Sequence, residues 1–360
     1  MLVGIDAVAI GGEMSGHRPY AEEIDAAADE SAPDYVDNDA AQDLKKYLVD
    51  RWVSPEQSAL DVVCQYALQP DGKLLRPLLL LEATRAVGGD LATVMPAAVG
   101  AESGHVASLA HDDIIDGDEV RRGRPAVHAA FGIGNAIVAG DALIFDMFAG
   151  LSDCAARGAA SDRVVWALGV VAKAGIDMCE GQALEDRLTQ TQTFDLDAYR
   201  RMVSLKTAAF FSSACAVGAI LGGGSSTEVD ALARYGRKLG QAFQIIDDLL
   251  PYSEHADAIG KPIASDARNG RPTLPAILAR RNRREDMDQL HARFLAGELD
   301  EASLSARLRS MFEECGSLQE AYALAERLVS DSKIALVPLS NSLGKKRLER
   351  WADLALARTR

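Results

Sequence analysis

Two aspartate groups carry most of the chemistry that this sequence could perform. The first lies in HDDIID, where Asp112 and Asp116 are four residues apart and Asp113 lies between them. On a helix, residues four apart share a face, and like charges there destabilise the helix unless a cation neutralises them. Mg²⁺ is commonly held by one or two carboxylates together with waters and phosphate oxygens. Alone, this group fits a metal-bound phosphate site and a solvated acidic helix end equally well.

The second aspartate group favours the metal site. The stretch QIIDDLL places Asp247 and Asp248 at the end of another apolar, helix-like segment. Two such groups facing each other across a bundle would clamp a diphosphate through several Mg²⁺ ions. The ions would spread the charge that develops as a leaving group departs.

Cationic residues recur near these groups and suggest a second anion pocket. Each one alone is more often a surface side chain whose stem lies on apolar neighbours. Together they would bind a phosphate without metal ligands, which implies two phosphorylated substrates in one cavity. They are Lys73, Arg76, Arg121, Arg122, Lys206, Lys261 and Arg271.

The elements that must position these side chains are helices. Segment 229–250 has apolar residues at helical spacing, and β-branched alternation is scarce along the chain. Long helices with short connections predict an all-α fold, an antiparallel helical bundle around a central cavity. The predicted helices are 54–67, 73–88, 92–117, 135–154, 161–190, 195–221 and 229–250.

Composition and charge limit the possible classes of protein. The 360 residues are 48% hydrophobic, which permits a sizeable core, and residues 39–360 are expected to form a single domain. Residues 1–38 are acidic and lack periodicity, so we expect a disordered arm there. The net charge of -15 argues against nucleic-acid binding, which needs a basic surface.

The sequence also favours a cytoplasmic protein. Its five cysteines are an odd number with no pair at metal-site spacing, which is typical of reduced thiols in the cytosol. The N-terminus lacks the basic region of a signal peptide. We expect no transmembrane segment, since Glu82 interrupts the apolar run 77–81.

These motifs, in this order from 71 to 275, resemble the trans-type isoprenyl diphosphate synthases, the polyprenyl synthetase family. The matching stretches are GKLLRP, HDDIID with RRGRP, Lys206-Thr207, FQIIDD and GKP followed by GRPTLP. The aspartate-rich motif followed by RRG is specific, whereas DDxxD alone is not. The resemblance implies the all-helical isoprenoid synthase fold and a homodimer.

The resemblance assigns roles to individual residues. Mg²⁺, about three ions per active site, would bind the allylic diphosphate. Gln244 would face the reacting carbons, and Thr207 would help position or stabilise the allyl group. The implied metal ligands are Asp112, Asp113, Asp116, Asp247 and Asp248. Contacts to the allylic diphosphate would come from Arg121, Lys206 and Lys261, with Arg271 in the same pocket. Isopentenyl diphosphate would bind Lys73, Arg76, His105 and Arg122.

The implied reaction is chain elongation. Pyrophosphate leaves the allylic substrate, the double bond of isopentenyl diphosphate attacks the carbocation, and a proton is lost. The protein positions the substrates, stabilises charge and excludes water. Small Ala107 and Ser108 precede the first motif, where members making shorter products have aromatic residues. This favours geranylgeranyl diphosphate as the product and leaves longer polyprenyl products open. Phe145, Met147 and Phe148 could form a deeper floor.

One residue departs from the family pattern. The second motif is usually DDxxD, but Pro251 stands at its third acidic position. Proline carries no ligand and ends the helix near Leu250, so weaker binding of one Mg²⁺ is expected. Two other functions stay open: a terpene cyclase, which would not need Lys73, Arg76 or Arg122, and a non-catalytic partner subunit.

Overall fold

The computed structural model describes residues 38–69, 72–253 and 270–357, which belong to one compact unit. Helices dominate these residues, so the predicted all-α class is confirmed. Lys261 and the predicted acidic arm, apart from its last residue, lie outside the described residues. The helices are α1 Asn38–Arg51, α2 Ala59–Leu68, α3 Leu75–Ala86, α4 Leu91–Asp116, α5 Val127–Phe131, α6 Ile133–Ala156, α7 Ser161–Gln190, α8 Leu196–Val203, α9 Ala209–Leu221, α10 Ser226–Leu249, α11 Leu274–Leu295, α12 Glu301–Glu314, α13 Ser317–Ala335 and α14 Leu343–Ala357.

Helix α4, which ends in the first aspartate group, packs most extensively on α6. Glycines let the two backbones approach closely. A Cβ at Gly100 would lie 2.9 Å from the Met147 carbonyl oxygen, and one at Gly150 only 2.3 Å from the Pro96 carbonyl oxygen. Real Cβ atoms do not approach backbone that closely. The glycines therefore hold the register of α4 against α6, and with it the height of the aspartates.

Helix α9 is the centre of the bundle. Every residue from Ala209 to Leu221 is buried, and α3, α7 and α10 pack around it. Such a helix has no polar face, because it meets protein on all sides. Helix α14 covers α3 on the outside, where Arg347 lies 3.1 Å from the buried carboxylate of Glu82.

Three local features differ from the expected helices. Residues 54–58 are not helical, because Ser58 and Asp61 form a capping box that starts α2 at Ala59. The expected helix 195–221 contains a π-helical turn, Ser204–Ala208, between α8 and α9. A short antiparallel hairpin, β1 Val120–Arg121 and β2 Arg124–Pro125, was not predicted.

Two helical stretches match a membrane span by length and mean hydropathy, contrary to the expectation that no run would do so. Of an 18-residue apolar window in each stretch, 78% is buried within Leu196–Leu221 and 39% within Ile133–Ala156. Apolar core helices of soluble proteins pass the same test, so these matches are weak indications of a membrane span.

Candidate active site

The first aspartate group occupies the last turn of α4, which ends at Gly117 in the left-handed region, with φ +67°. Helix C-termini carry partial negative charge, so three carboxylates there require cations nearby. The hairpin that follows supplies one of them. Its tight turn uses Arg122 at φ +53° and Gly123 at φ +75°, and it brings Arg121 back to the helix end.

Arg121 and Asp113 form a buried ion pair. Arg121 Nε donates to Asp113 Oδ1 at 2.8 Å, and a second guanidinium N–H contacts the same oxygen. The Asp113 side chain is 2% exposed. Burial raises the pKa of Asp113, and the Arg121 hydrogen bond opposes that shift. Asp113, an expected metal ligand, therefore has a protein cation as its partner.

Asp116 pairs with Arg271, a residue 155 positions away that lies just before α11. Both side chains are largely buried. The contact brings the residues just before α11 against the first motif. Arg271, expected to bind diphosphate, thus lies at the site and neutralises one of the aspartates.

Asp112 is a largely buried carboxylate on which two other carboxylates and two cations act. Burial raises its pKa, the charges of Asp116 and Glu185 add to the rise, and Lys206 and Arg121 oppose it. A desolvated carboxylate of this kind is stabilised by additional positive charge. Asp112 therefore has the environment expected of a cation ligand.

Lys206 lies in the π-helical turn and is held by Glu185 of α7. Its Nζ donates to Glu185 Oε2 at 2.5 Å. Gly181 permits this approach, since a Cβ there would lie 2.3 Å from the Lys206 backbone nitrogen. Sequence analysis missed Glu185. The signal was present, because Glu185 and Asp186 are acidic residues near the end of a long helix, as are Asp247 and Asp248.

Asp248 lies inside the protein and accepts three hydrogen bonds. Tyr199 Oη donates to Oδ2 at 2.7 Å, and the Leu274 backbone N–H donates to the same oxygen at 3.0 Å. Gln244 Nε2 donates to Oδ1 at 3.0 Å, and Thr207 Oγ1 donates to Gln244 Oε1 at 2.7 Å. Asp248 was predicted to bind metal, yet in this geometry it binds protein groups.

A second, cationic group lies beside these carboxylates. Burial lowers the pKa of Arg76 to about 10, opposed by Glu102 and Asp247, and its guanidinium lies 4.8 Å from the Phe211 ring centroid. Burial lowers the pKa of His105 well below its ordinary value, and Arg76, Arg122 and Arg121 add to the shift. His105 is therefore neutral near pH 7 and surrounded by arginines, which is the field that an anion needs.

Two further residues lie close to this cationic group. Glu102, buried on α4, was missed by sequence analysis although it is a charge inside an otherwise apolar helix. Gly72 precedes Lys73, and a Cβ on it would lie 2.5 Å from Arg122 Nη2. The start of α3 and the hairpin therefore approach each other, as the predicted phosphate pocket requires.

An apolar cavity lies between α3, α4, α6, α7 and α9. Its lining includes Ala97, Ala101, Met147, Leu151, Phe210 and Val217, and Arg76 lines it too. Met147 is buried, whereas Phe145 is 73% exposed. The prediction that Phe145 forms a floor is therefore wrong, because its side chain lies on the outer face of α6.

Comparison with known proteins identifies the family. Residues 57–311 match the family model described as Polyprenyl synthetase. The chain belongs to the polyprenyl synthetase family. It is 39% identical to the short chain isoprenyl diphosphate synthase of Methanothermobacter thermautotrophicus, over 82% of this chain and 89% of that protein. It is 36% identical to the geranylgeranyl diphosphate synthase of Methanosarcina mazei, over 82% and 88% of the two chains.

Solved structures of the same family share the fold. Geranylgeranyl pyrophosphate synthetase from Pyrococcus horikoshii superposes with a TM-score of 0.80 at 31% identity, covering 88% of this chain and 96% of that one. A polyprenyl synthase from Caulobacter crescentus, solved with calcium and isoprenyl diphosphate, superposes with a TM-score of 0.79 at 29% identity. The match covers 89% of this chain and 95% of that one. This polyprenyl synthetase is accordingly a prenyltransferase that acts on isoprenyl diphosphates.

A divalent metal serves diphosphate binding in this family, and the carboxylate-rich donor set at Asp112 and Asp116 suits a hard cation. Within residues 38–69, 72–253 and 270–357, no group of three or more metal-ligating side chains lies close enough to hold an ion. The ion pairs explain why, since Asp113 and Asp116 are each drawn to an arginine.

Proposed function

We propose that this prenyltransferase condenses isopentenyl diphosphate with an allylic diphosphate and releases geranylgeranyl diphosphate. The observation that carries the proposal is the adjacency of two different anion sites. Arg121 acts on the pKa of both Asp112 and His105, and Asp247 acts on that of Arg76. A carboxylate site and a cationic site are thus electrostatically coupled, as two diphosphates in one cavity require.

The carboxylate site would bind the allylic diphosphate. Asp112, Asp116 and Asp247 would hold about three Mg²⁺ ions, which withdraw charge from the departing pyrophosphate. Arg271 and Lys206 are already at the site and can exchange a carboxylate partner for phosphate oxygens. Lys261 would add a further cation. Asp113 and Asp248 would not bind metal directly. They would hold neighbouring protein groups in place, Asp113 through Arg121 and Asp248 through Gln244.

The cationic site would bind isopentenyl diphosphate. Lys73, Arg76 and Arg122 would contact its phosphates, and neutral His105 would donate a hydrogen bond. Gln244 and Thr207 would face the reacting carbons, and the apolar cavity would hold the growing chain away from water. A terpene cyclase would have no use for this second anion site, so its presence favours elongation.

We propose the product length from the size of the side chains one and two turns before the first aspartate group and of those that line the apolar cavity. Ala107 is fully buried and Ser108 is small, so neither of these two positions carries an aromatic side chain that would close the cavity. Met147 and Phe210 are bulky side chains at the level of Gly104, where an added Cβ would lie 2.5 Å from Met147 Sδ and 3.4 Å from Phe210 Cζ. We propose Met147 and Leu151 as the floor that limits the product to geranylgeranyl length. A longer polyprenyl product stays open, because Met147 is flexible.

The test is an incubation with radiolabelled isopentenyl diphosphate, Mg²⁺ and dimethylallyl, geranyl or farnesyl diphosphate in turn. A single geranylgeranyl product from each primer is expected after dephosphorylation and chromatography. A ladder of longer alcohols would keep the reaction and change the product. Hydrocarbon formed from the allylic substrate alone would favour a cyclase, and no turnover would favour a partner subunit.

A homodimer is proposed from the outer faces of α6 and α7. Ile137, Val138 and Phe145 are exposed on α6, and Val165 and Ile176 on α7. Exposed apolar side chains on two neighbouring helices are typical of an interface, and the proposed occupant is a second copy of the chain. Light scattering after gel filtration should give a dimer for the wild type and a monomer for Phe145→Glu. An unchanged dimer would contradict this surface.

The remaining assignments concern the cell and the chain ends. We propose a cytoplasmic location, supported by five cysteines that are all free. Residues 39–360 are proposed as the whole catalytic domain and residues 1–38 as a dispensable acidic arm. A variant that lacks the first 38 residues should keep its kcat and its product.

A further inference from the structure

A chain of buried hydrogen bonds runs from Tyr199 through Asp248 and Gln244 to Thr207. We propose that Asp248 is a positioning residue, fixed by Tyr199 and the Leu274 backbone, which sets the direction of the Gln244–Thr207 hydrogen bond. The Thr207 oxygen then offers lone pairs, and no proton, to the reacting allyl group. This inference rests on the proposed function, since it concerns the group that faces the carbocation.

The direction of the chain starts at Asp248 Oδ2. A backbone N–H can only donate, and Leu274 N lies 3.0 Å from this oxygen. Tyr199 also donates, because its hydroxyl lies 2.7 Å from Oδ2 and a carboxylate oxygen has only lone pairs to offer. Two donors therefore hold Oδ2, and the carboxylate cannot rotate without losing them.

The Gln244 amide follows from this arrangement. A carboxylate oxygen accepts, so the amide group facing Asp248 Oδ1 must be the NH₂, at 3.0 Å. Its carbonyl oxygen then faces Thr207, at 2.7 Å from Oγ1. A carbonyl cannot donate, so the Thr207 hydroxyl proton points to Gln244. The Thr207 oxygen can therefore present only its two lone pairs to a neighbouring ligand.

This polarity suits a reaction through a carbocation. Oxygen lone pairs stabilise positive charge, and a preoriented dipole needs no reorganisation as the charge develops. Thr207 follows Lys206 in the π-helical turn, and Lys206 acts electrostatically on Asp112. Thr207 is therefore next in sequence to a residue whose charge acts on the first aspartate group, where the allylic diphosphate would ionise.

The same contacts explain why an aspartate stands at 248. It is 6% exposed and joins α8, α10 and the start of α11 through its three donors. Asp248 belongs to the last turn of α10, but its carboxylate contacts the N-terminus of α11 through Leu274, where the helix dipole favours negative charge. A polar group fixed by three elements can hold a direction that a loop residue could not.

The test inverts the polarity of the chain without changing its shape. In Asp248→Asn, the side-chain oxygen of the new asparagine is expected to keep the hydrogen bonds from Tyr199 and the Leu274 N–H. Its NH₂ group then faces Gln244. The Gln244 amide then reverses and donates to Thr207, which frees the hydroxyl proton. We expect kcat to fall about 100-fold while the KM for each substrate changes less than about threefold.

A second change restores the direction. In Asp248→Asn/Gln244→Glu, the glutamate accepts from Asn at one oxygen and from Thr207 at the other. The pair keeps the net charge of the wild type, and kcat should recover to within about tenfold. Tyr199→Phe should lower kcat about tenfold. Its control is Tyr235→Phe, which also removes a buried hydroxyl. That hydroxyl donates a hydrogen bond of 2.6 Å to the Leu348 carbonyl oxygen, and its loss should leave kcat unchanged.

Binding of Mg²⁺ with inorganic pyrophosphate, followed by calorimetry, separates this role from metal ligation. Asp248→Asn should bind like the wild type, whereas Asp112→Asn should bind at least tenfold more weakly. Equal losses in both variants, or no recovery of kcat in the double variant, would overturn the inference while wild-type turnover leaves the proposed function intact. A wild type that forms no elongated product would overturn both.

Discussion

The guanidinium of Arg121 and the carboxylate of Asp113 form a buried ion pair eight residues apart, closed by the hairpin that follows α4. Its neighbour Asp112 has no such hydrogen bond among the described contacts, and burial raises its pKa. We therefore propose different tasks for these two adjacent residues. Asp113 would hold the hairpin and its arginines in place, and Asp112 would provide a site for a cation.

Substitution of the two aspartates should separate these tasks. Asp113→Asn breaks a buried pair and should lower the free energy of unfolding by about 2 kcal/mol. Asp112→Asn removes a desolvated charge, so stability should be unchanged or higher, while kcat/KM falls about 100-fold or more. Urea unfolding and steady-state kinetics measure both. Equal loss of stability in the two variants would contradict the assignment.

His105 should make stability depend on pH. Burial lowers its folded-state pKa well below the ordinary value of about 6.5. The unfolded chain therefore binds a proton that the folded chain does not, and this contribution to stability is lost as the pH falls below about 6.5. The slope is at most about 1.4 kcal/mol per pH unit. His105→Gln should flatten the unfolding free energy between pH 5 and 6.5, and an identical slope in the variant would refute the prediction.

Gly181 should be essential for the geometry of Lys206. A Cβ there would lie 2.3 Å from the Lys206 backbone nitrogen, so Gly181→Ala must displace the π-helical turn. We expect about a tenfold rise in the KM for the allylic substrate and a loss of about 2 kcal/mol in the free energy of unfolding. Gly175, on the same helix, has nothing within 4 Å of such a Cβ. Gly175→Ala should therefore raise stability by about 1 kcal/mol and leave kinetics unchanged.

Met147 should determine product length. Met147→Ala enlarges the cavity next to Leu151, so products longer than those of the wild type are expected by chromatography. Ile133→Ala is the matched control, because that side chain is exposed at the start of the same helix and is not part of the proposed dimer face. Its product should be that of the wild type. Longer products from the control, or unchanged products from Met147→Ala, would show that the chain does not extend to this part of α6.

The sequence predicts the helices and the motifs because both depend on short-range spacing. Apolar residues at helical intervals located α4, α6 and α7 to within a few residues. The aspartate groups, RRGRP and the lysines sufficed for the family, whose model covers residues 57–311. These patterns are local, so they survive without knowledge of how the helices pack.

Which side chains meet was decided by packing. Asp116 and Arg271 are 155 residues apart, so their pairing depends on how the end of α4 packs against the residues just before α11. Glu185 reaches Lys206 only because Gly181 lets α7 approach the π-helical turn. Helical spacing cannot tell that Phe145 lies outside and Met147 inside, since both positions are apolar. Such contacts arise from the register between helices, a property that no single stretch of sequence contains.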